Sequence, residues 1–192
     1  MKIFLTGKDG QVGFALHKKL SALGEVIALD RKMLDLSNIN AIKECVDEVR
    51  PQIIINTAAY TAVDQAEYEP DLAYQINAVA PKILSEKATE HNIPLIHFST
   101  NYVFDGLKKE AYVENDLIQP LSVYGKSKAE GEFAVMKHPK HIILRTSWIF
   151  GARRHNFLKT VLHLLSERDQ LSMVNDQWGN PTSACTLAYR LS

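Results

Sequence analysis

Between an apolar run, Lys2 to Thr6, and an amphipathic stretch, Gln11 to Ala22, the chain reads Thr6-Gly7-Lys8-Asp9-Gly10-Gln11-Val12-Gly13. Few turns constrain a fold more. Glycines at every third position allow a tight backbone reversal and close approach of another group, and the following helix presents unpaired N–H groups and a positive dipole end. Three glycines in a turn can be no more than a turn. The strand–turn–helix context, however, is the one in which such a turn holds a pyrophosphate. A second run, Glu25 to Leu29, ends on Asp30. That carboxylate lies roughly 20 residues past the turn, where it can accept hydrogen bonds from the hydroxyls of an adenine ribose. Gly7, Gly10, Gln11, Val12, Gly13 and Asp30 are therefore read as dinucleotide-binding.

The rest of the chain repeats the same alternation. Strands are expected at Ile53–Ile55, Leu95–Ser99, Ile142–Arg145 and Leu171–Val174. Helices are expected after a Ser37 N-cap up to Pro51, from Asp71 to His91, from Ser122 to Met136 and from Phe157 to Leu165, with a last one starting at Ser183. Strands apolar at nearly every position are buried on both faces, as in a parallel sheet covered by helices. The class is α/β, doubly wound, with right-handed crossovers. The alternation loosens near Trp148, and Asp176 to Thr182 reads as a loop. Residues 1–147 are read as the nucleotide-binding domain and residues 148–192 as part of a substrate lobe.

Composition narrows the function classes. The 192 residues carry 22 Lys+Arg against 22 Asp+Glu, so no basic face points to nucleic acid or an anionic membrane. No apolar run approaches the roughly 20 residues that span a bilayer, and the first residues are too short for a signal peptide. Cys45 and Cys185 stand alone, without metal-ligand spacing, and the seven histidines show none either. No metal site is read, and His97, inside an apolar strand, is read as a satisfied core residue. A cytoplasmic setting is the expectation.

Four further features bear on chemistry. Arg31 follows Asp30 and can pair with a 2′-phosphate, which Asp30 alone would repel; a solvated loop charge is the equal alternative. Ala58, Ala59 and Tyr60 follow the third strand, where small residues let a cofactor lie against the backbone. Tyr124 and Lys128 stand four apart, on one helix face, where an ammonium lowers the pKa of a phenol. Lys126 points away. Ser99-Thr100 ends the fourth strand and projects hydroxyls into the same crevice. Alone, a Tyr and a Lys four apart are a surface pair; beside a nicotinamide site and a hydroxyl donor they form a carbonyl-reducing set.

The glycine turn, the Tyr124/Lys128 pair and the Ser99-Thr100 strand end resemble the extended short-chain dehydrogenase/reductase family. The likeness runs on through 58–67, Ile76-Asn77-Ala78, Ser99–Gly106, Pro120–Gly125, Arg145–Trp148 and Asn175–Thr182, essentially the whole chain. It implies a Rossmann-type doubly wound sheet with NADPH or NADH as cofactor. It also implies reduction of a dTDP-linked 4-keto-6-deoxy-L-sugar at C4 to the L-rhamnose nucleotide. By that resemblance Tyr124 donates the proton, Lys128 binds the nicotinamide ribose, and Thr100 hydrogen-bonds the carbonyl oxygen. Asp35 and Leu36 join the cofactor set; Tyr102, Phe104, Trp148 and Asn180 line the sugar pocket; and the loop from Asn175 to Thr182 closes over it. Four departures stand out. Asn101 occupies a place where the family usually carries Asp, so no charged role falls there. The acidic pair of related dehydratases is missing at Asn101-Tyr102, and Ala15 sits where a metal-binding carboxylate would be expected. Family members also run past this C-terminus, so the substrate lobe is expected to be small and incomplete. A homodimer is left open. The rival readings are an epimerase, which would retain oxidised cofactor, and a reductase-like regulatory subunit that binds nucleotide without turnover.

Overall fold

The computed structural model describes Met1 to Ser192. Five parallel strands make the sheet: β1 (Lys2–Thr6), β2 (Glu25–Leu29), β3 (Ile53–Asn56), β4 (Leu95–Thr100) and β5 (His141–Thr146), in the order β2-β1-β3-β4-β5. The chain runs outward from β1 to β2 and returns to β3 on the other side, so the winding reverses between β1 and β3. In a doubly wound sheet, ligands sit outside the carboxyl ends of the strands at that reversal. The expected fold class holds.

Successive strand residues point to opposite faces, and both faces are buried. Phe4, Ile54 and Leu95 join Ile42, Val46 and Leu84 from α2 (Ile39–Val49) and α5 (Ala80–Glu90). Ile3, Leu5, Ile55 and Phe98 face Leu16 and Leu20 of α1 (Gln11–Leu20). One row breaks the pattern. Thr6, Asn56 and His97 are neighbours in register on the first of these faces, and each is 2% exposed or less.

Local ends follow from local chemistry. Asn38, one residue after the expected Ser37, caps α2 by accepting from Ala41 N at 3.1 Å. Arg50 ends the same helix in the left-handed region, ahead of Pro51. The helix expected from Asp71 to His91 is interrupted: α3 (Val63–Ala66) and α4 (Pro70–Tyr74) lead into a π turn, Gln75–Val79, before α5. A π turn widens one helical turn and is common at functional sites. Here it carries Asn77, whose side chain is buried among polar partners rather than turned to solvent.

A 3-10 turn (Asn101–Val103) follows β4, and α6 (Val123–Val135) is capped by Ser122, whose hydroxyl accepts from Gly125 N at 3.1 Å. After β5 the chain leaves the sheet. Residues 171–174 do not form the expected strand; they lie in irregular, mainly exposed backbone with no strand to pair with. Instead β6 (Ile149–Phe150) pairs in parallel with β7 (Thr182–Ser183), closing off the excursion that contains α7 (Phe157–Glu167). Phe157, Leu158, Leu162 and Leu165 of α7 are all exposed. α8 (Ala184–Arg190) then returns to the core, burying Ala184 and Ala188 beside α1. No helix is long and apolar enough to cross a membrane.

Candidate functional site

A cleft of about 1370 Å³ runs along the carboxyl ends of the strands. Its floor is the glycine turn. Gly7 has φ +73°, in the left-handed region that glycine adopts without strain. A side-chain carbon there would sit 2.9 Å from Ala58 N, so β1 and the end of β3 meet through bare backbone. A methyl group at Gly13 would collide with the carbonyl oxygen of Gly7, so this third glycine lets α1 close down on the turn. Gly13 itself lies behind the cleft wall, whereas Gly7, Gly10, Gln11 and Val12 line it. The N-terminus of α1 has no capping side chain and no acidic residue in its first turn. It therefore presents free N–H groups and an uncompensated positive dipole end, suited to a pyrophosphate.

Asp30, Arg31, Asp35 and Leu36 line the cleft at the end of β2. The Asp30 carboxylate accepts from the backbone N–H groups of Lys32 (2.9 Å) and Met33 (3.0 Å) and pairs with Lys8 at 3.2 Å. The Met33 hydrogen bond and the Lys8 ammonium hold it below the usual carboxylate range. Lys8 was not among the expected site residues. Its position inside the glycine turn, ahead of an acid on the neighbouring strand end, was the available signal. Asp35 accepts from Ser37 N (2.9 Å) and Ser37 Oγ (2.8 Å), which fixes the loop that carries Leu36.

Ala58, Ala59 and Tyr60 form the wall after β3, and Asn77 holds that wall in place. Tyr60 N donates to Asn77 Oδ1 at 2.9 Å, while Asn77 Nδ2 donates to Tyr60 O at 3.0 Å and to Ser127 Oγ of α6 at 3.1 Å. One buried amide thus ties this wall of the cleft to the helix bearing Tyr124. An asparagine within an apolar helical pattern was the sequence sign of it.

At the other end, Thr100, Tyr102, Tyr124 and Lys128 line the cleft together. Tyr124 and Lys128 share the face of α6 turned to β4. Tyr102 meets the Tyr124 ring edge-on, with centroids 5.5 Å apart. Burial pushes the Tyr124 phenol up, partly offset by the Thr100 hydroxyl beside it. This reverses the expected lowering by Lys128, because that ammonium is turned to the sheet: Nζ donates to Phe98 O at 2.7 Å and lies 3.4 Å from His97 Nε2. Burial brings Lys128 itself down to about 8, and Glu132 opposes the shift. His97 is fully enclosed, and desolvation lowers its pKa well below the ordinary value, leaving it neutral. Ser99, also at the cleft, has a buried hydroxyl with no protein partner. Asn101 receives a long contact from Thr100 Oγ1 at 3.4 Å.

The sugar-side expectations divide. Tyr102 and Trp148 line the cleft, and Trp148 is held at φ +47°. Phe104 does not: it stacks on Tyr112 at 4.1 Å, beneath the Arg145 guanidinium, with its ring 8% exposed. Asn180 is exposed and outside the cleft; its backbone oxygen accepts from Ser147 Oγ at 2.8 Å. The loop from Asn175 to Thr182 seats Gly179 against the Trp148 indole and leaves Trp178 in solvent, so it buttresses the cleft from behind rather than covering it.

Three carboxylate- or imidazole-bearing residues, Asp47, Glu90 and His91, also converge, at the junction of α2 and α5. The Lys87 ammonium pairs with both acids there, so a side-chain cation already occupies the cluster.

The family model described as RmlD substrate binding domain matches residues 1–192. The chain belongs to this family. Its RmlD relatives include a dTDP-4-dehydrorhamnose reductase of Aggregatibacter actinomycetemcomitans, 48% identical over 97% of this chain and 65% of the relative. Another, from Escherichia coli K12, is 45% identical over 98% of this chain and 64% of its own length. The chain thus spans slightly less than two thirds of these relatives. Among solved RmlD structures, a dTDP-4-dehydrorhamnose reductase from Clostridium acetobutylicum superposes with TM-score 0.96 at 44% identity, covering 100% of this chain and 69% of that one. The Bacillus anthracis dTDP-4-dehydrorhamnose reductase, in complex with NADP, gives 0.95 at 41% identity, covering 99% and 68%.

Proposed function

We propose that the protein is an NAD(P)H-dependent reductase acting on the C4 ketone of dTDP-4-dehydro-6-deoxy-L-mannose, giving dTDP-L-rhamnose. The observation that carries this reading is the convergence of Thr100, Tyr124 and Lys128 on the same cleft as the glycine turn. The names of the relatives supply the substrate class. Residues 1–147 form the cofactor half and residues 148–192 begin the sugar side, with α8 returning to the core.

The residues fit a dinucleotide on three counts. Gly7 and Gly10 line the cleft with bare backbone, the α1 N-terminus is uncapped, and the Ser99 hydroxyl has no protein partner. Gly7, Gly10, Gln11 and Val12 would hold the pyrophosphate. Asp30 and Arg31 would meet the adenosine ribose, and Lys128 the nicotinamide ribose. Bound NADPH or NADH supplies the hydride.

The chain's own part is proton delivery and charge stabilisation. Burial keeps Tyr124 as a neutral phenol, so its proton is available to the oxygen that becomes a hydroxyl as the C4 carbonyl is reduced. Thr100 donates a hydrogen bond to the same oxygen while charge builds on it. Lys128, an ammonium below about pH 8, is turned to the sheet and is no direct partner of the phenolate left on Tyr124. The phenolate regains its proton from solvent through the cleft, which completes the balance. Tyr102 and Trp148 offer aromatic faces to the sugar. No nucleic-acid or membrane partner enters this reading, and analytical ultracentrifugation decides between monomer and homodimer.

The test is to follow NAD(P)H absorbance in the intact protein with dTDP-4-keto-L-rhamnose, beside a UDP-linked ketosugar. Consumption with the first alone supports the reading; none with either overturns it.

A further inference from the structure

The polar row across the sheet has no part in the chemistry above. Thr6 Oγ1 and Asn56 Oδ1 are 2.6 Å apart, Asn56 Nδ2 and His97 Nδ1 are 3.0 Å apart, and His97 Nε2 is 3.4 Å from Lys128 Nζ. The three strand residues are register partners, so the row crosses β1, β3 and β4 at right angles. It begins at the residue before Gly7 and ends at the lysine beside Tyr124. Buried polar groups are costly unless every one is paired, and apolar side chains would fill this row as they fill the rest of the sheet.

We infer that Asn56 and His97 are positioning residues for Lys128, and that the His97 Nε2 lone pair is the second acceptor that seats its ammonium. An ammonium has three donors. Phe98 O takes one at 2.7 Å and His97 takes another, so the third is directed to the cleft that Lys128 lines. With one acceptor the long side chain could swing about Phe98 O; with two it is fixed in direction.

The contact with Lys128 sets the His97 tautomer. A ring nitrogen that accepts from Lys128 carries no proton, so the proton of the neutral imidazole sits on Nδ1. The Asn56 amide stands with Oδ1 at the Thr6 hydroxyl and Nδ2 at His97 Nδ1, an arrangement that directs an Nε2 proton at the ammonium. Half a turn of that amide, which leaves the row in place, puts its oxygen at Nδ1 and its nitrogen at Thr6, and seating Lys128 on Nε2 requires it. The other titratable or charged groups around Lys128 are Tyr124 and Glu132 on α6, Arg145 on β5, which Glu132 binds, and Tyr102 on the 3-10 turn. None of them supplies the acceptor that His97 does.

This inference rests on the proposed role of Lys128 in holding nicotinamide ribose, so two of its readouts need no sugar substrate. The first is the His97 tautomer in the intact protein at pH 7, read from ¹⁵N shifts of the ring. A proton on Nδ1 is expected; a proton on Nε2 overturns the inference. The second is NADPH affinity in His97→Gln and His97→Asn. Glutamine places an acceptor near the Nε2 position, whereas asparagine reaches only to Nδ1. A lost hydrogen bond to a charged group corresponds to roughly ten- to hundredfold. His97→Asn is expected to weaken NADPH binding and lower kcat by that factor, and His97→Gln to stay within about threefold of the parent. If both variants lose thermal stability alike while binding and turnover are unchanged, the row is only structural and the inference fails. If the parent protein reduces no sugar while tautomer and affinity behave as expected, the catalytic reading falls and the positioning of Lys128 stands.

Discussion

Glu132, with its side chain fully out of solvent, grips Arg145 through Oε1 to Nε at 3.0 Å and Oε2 to Nη2 at 2.7 Å. Arg145 also donates to Glu114 O at 3.0 Å and lies over the Phe104 ring. The pair pins α6 to β5. Removing one member of a buried pair leaves the other charge uncompensated, at a cost of about 3–5 kcal/mol. Glu132→Gln is therefore expected to lower unfolding free energy by that order in urea titration. The double change Glu132→Met with Arg145→Leu should recover much of it. A single variant as stable as the parent would show that the pair contributes nothing.

Lys128→Met is expected to remove activity and to raise stability. Burial moves Lys128 from an ordinary 10.5 to about 8 in the folded protein. Below about pH 8 both states hold the proton and the folded state bears the full burial penalty, roughly 3 kcal/mol at about 1.4 kcal/mol per unit. Between about 8 and 10.5 the unfolded chain holds more protons, so this group's contribution makes the parent more stable as pH rises. The unpaired Phe98 carbonyl in the variant offsets about 1 kcal/mol. The advantage of the methionine variant should thus be largest at pH 7 and shrink by pH 10. Denaturant melts at the two pH values check the sign.

Tyr124→Phe removes the proton donor while keeping the ring that packs against Tyr102. Turnover should fall by about 10²–10⁴, the range for a lost general acid, with NADPH affinity within a few-fold of the parent. Steady-state kinetics beside a fluorescence titration separate the two effects. Near-normal turnover would remove Tyr124 from the mechanism.

Where the proposed function places the adenosine ribose, Asp30 restrains Lys8. Asp30→Ala removes the acceptor for ribose hydroxyls and frees that ammonium, so the ratio of NADPH to NADH efficiency should rise, by roughly tenfold for one charged hydrogen bond. Arg31→Ala should move it the other way. An unchanged ratio in both would place the ribose elsewhere.

Gly13→Ala tests the approach of α1 to the glycine turn. The added methyl meets the Gly7 carbonyl oxygen, so the helix must back away. Overpacking of this kind costs about 1–3 kcal/mol, and displacing the N-terminal amides should weaken NADPH binding tenfold or more. Isothermal titration reads the second effect, and unchanged affinity would show that the helix end does not touch the dinucleotide.

The elements that alternate strongly were legible without coordinates. Strands β1 and β2 have the expected limits, and the Tyr124/Lys128 helix starts within a residue of its expected place. Hydrophobic period and cap chemistry are local, and a sequence displays them. What failed was tertiary. Residues 171–174 carry an apolar run, yet a strand needs a partner edge, and none lies beside them. Phe104 follows a motif in the cleft, but the direction of its ring is set by Tyr112 in the loop that follows and by Arg145 on β5. Asn77 is visible in the sequence as a polar residue within an apolar helical pattern, but its partners, the Tyr60 backbone and Ser127, are brought to it only by the fold. The Lys128 side chain was assigned to the phenol by spacing alone, whereas Phe98 and His97 take up two of its donors.

The excursion between β5 and α8 is fastened at both ends: Ser147 to the Asn180 backbone, and β6 to β7. Between those ends it also reaches back to the glycine turn: Arg154 Nε donates to Asp9 O at 3.0 Å, Asn156 Nδ2 donates to Gln11 Oε1 at 3.0 Å, and Arg154 and His155 line the cleft. The excursion and the turn are therefore one mechanical unit. Exchanging residues 152–178 for those of a relative keeps the turn in place only where the replacements for Arg154 and Asn156 make the same two contacts.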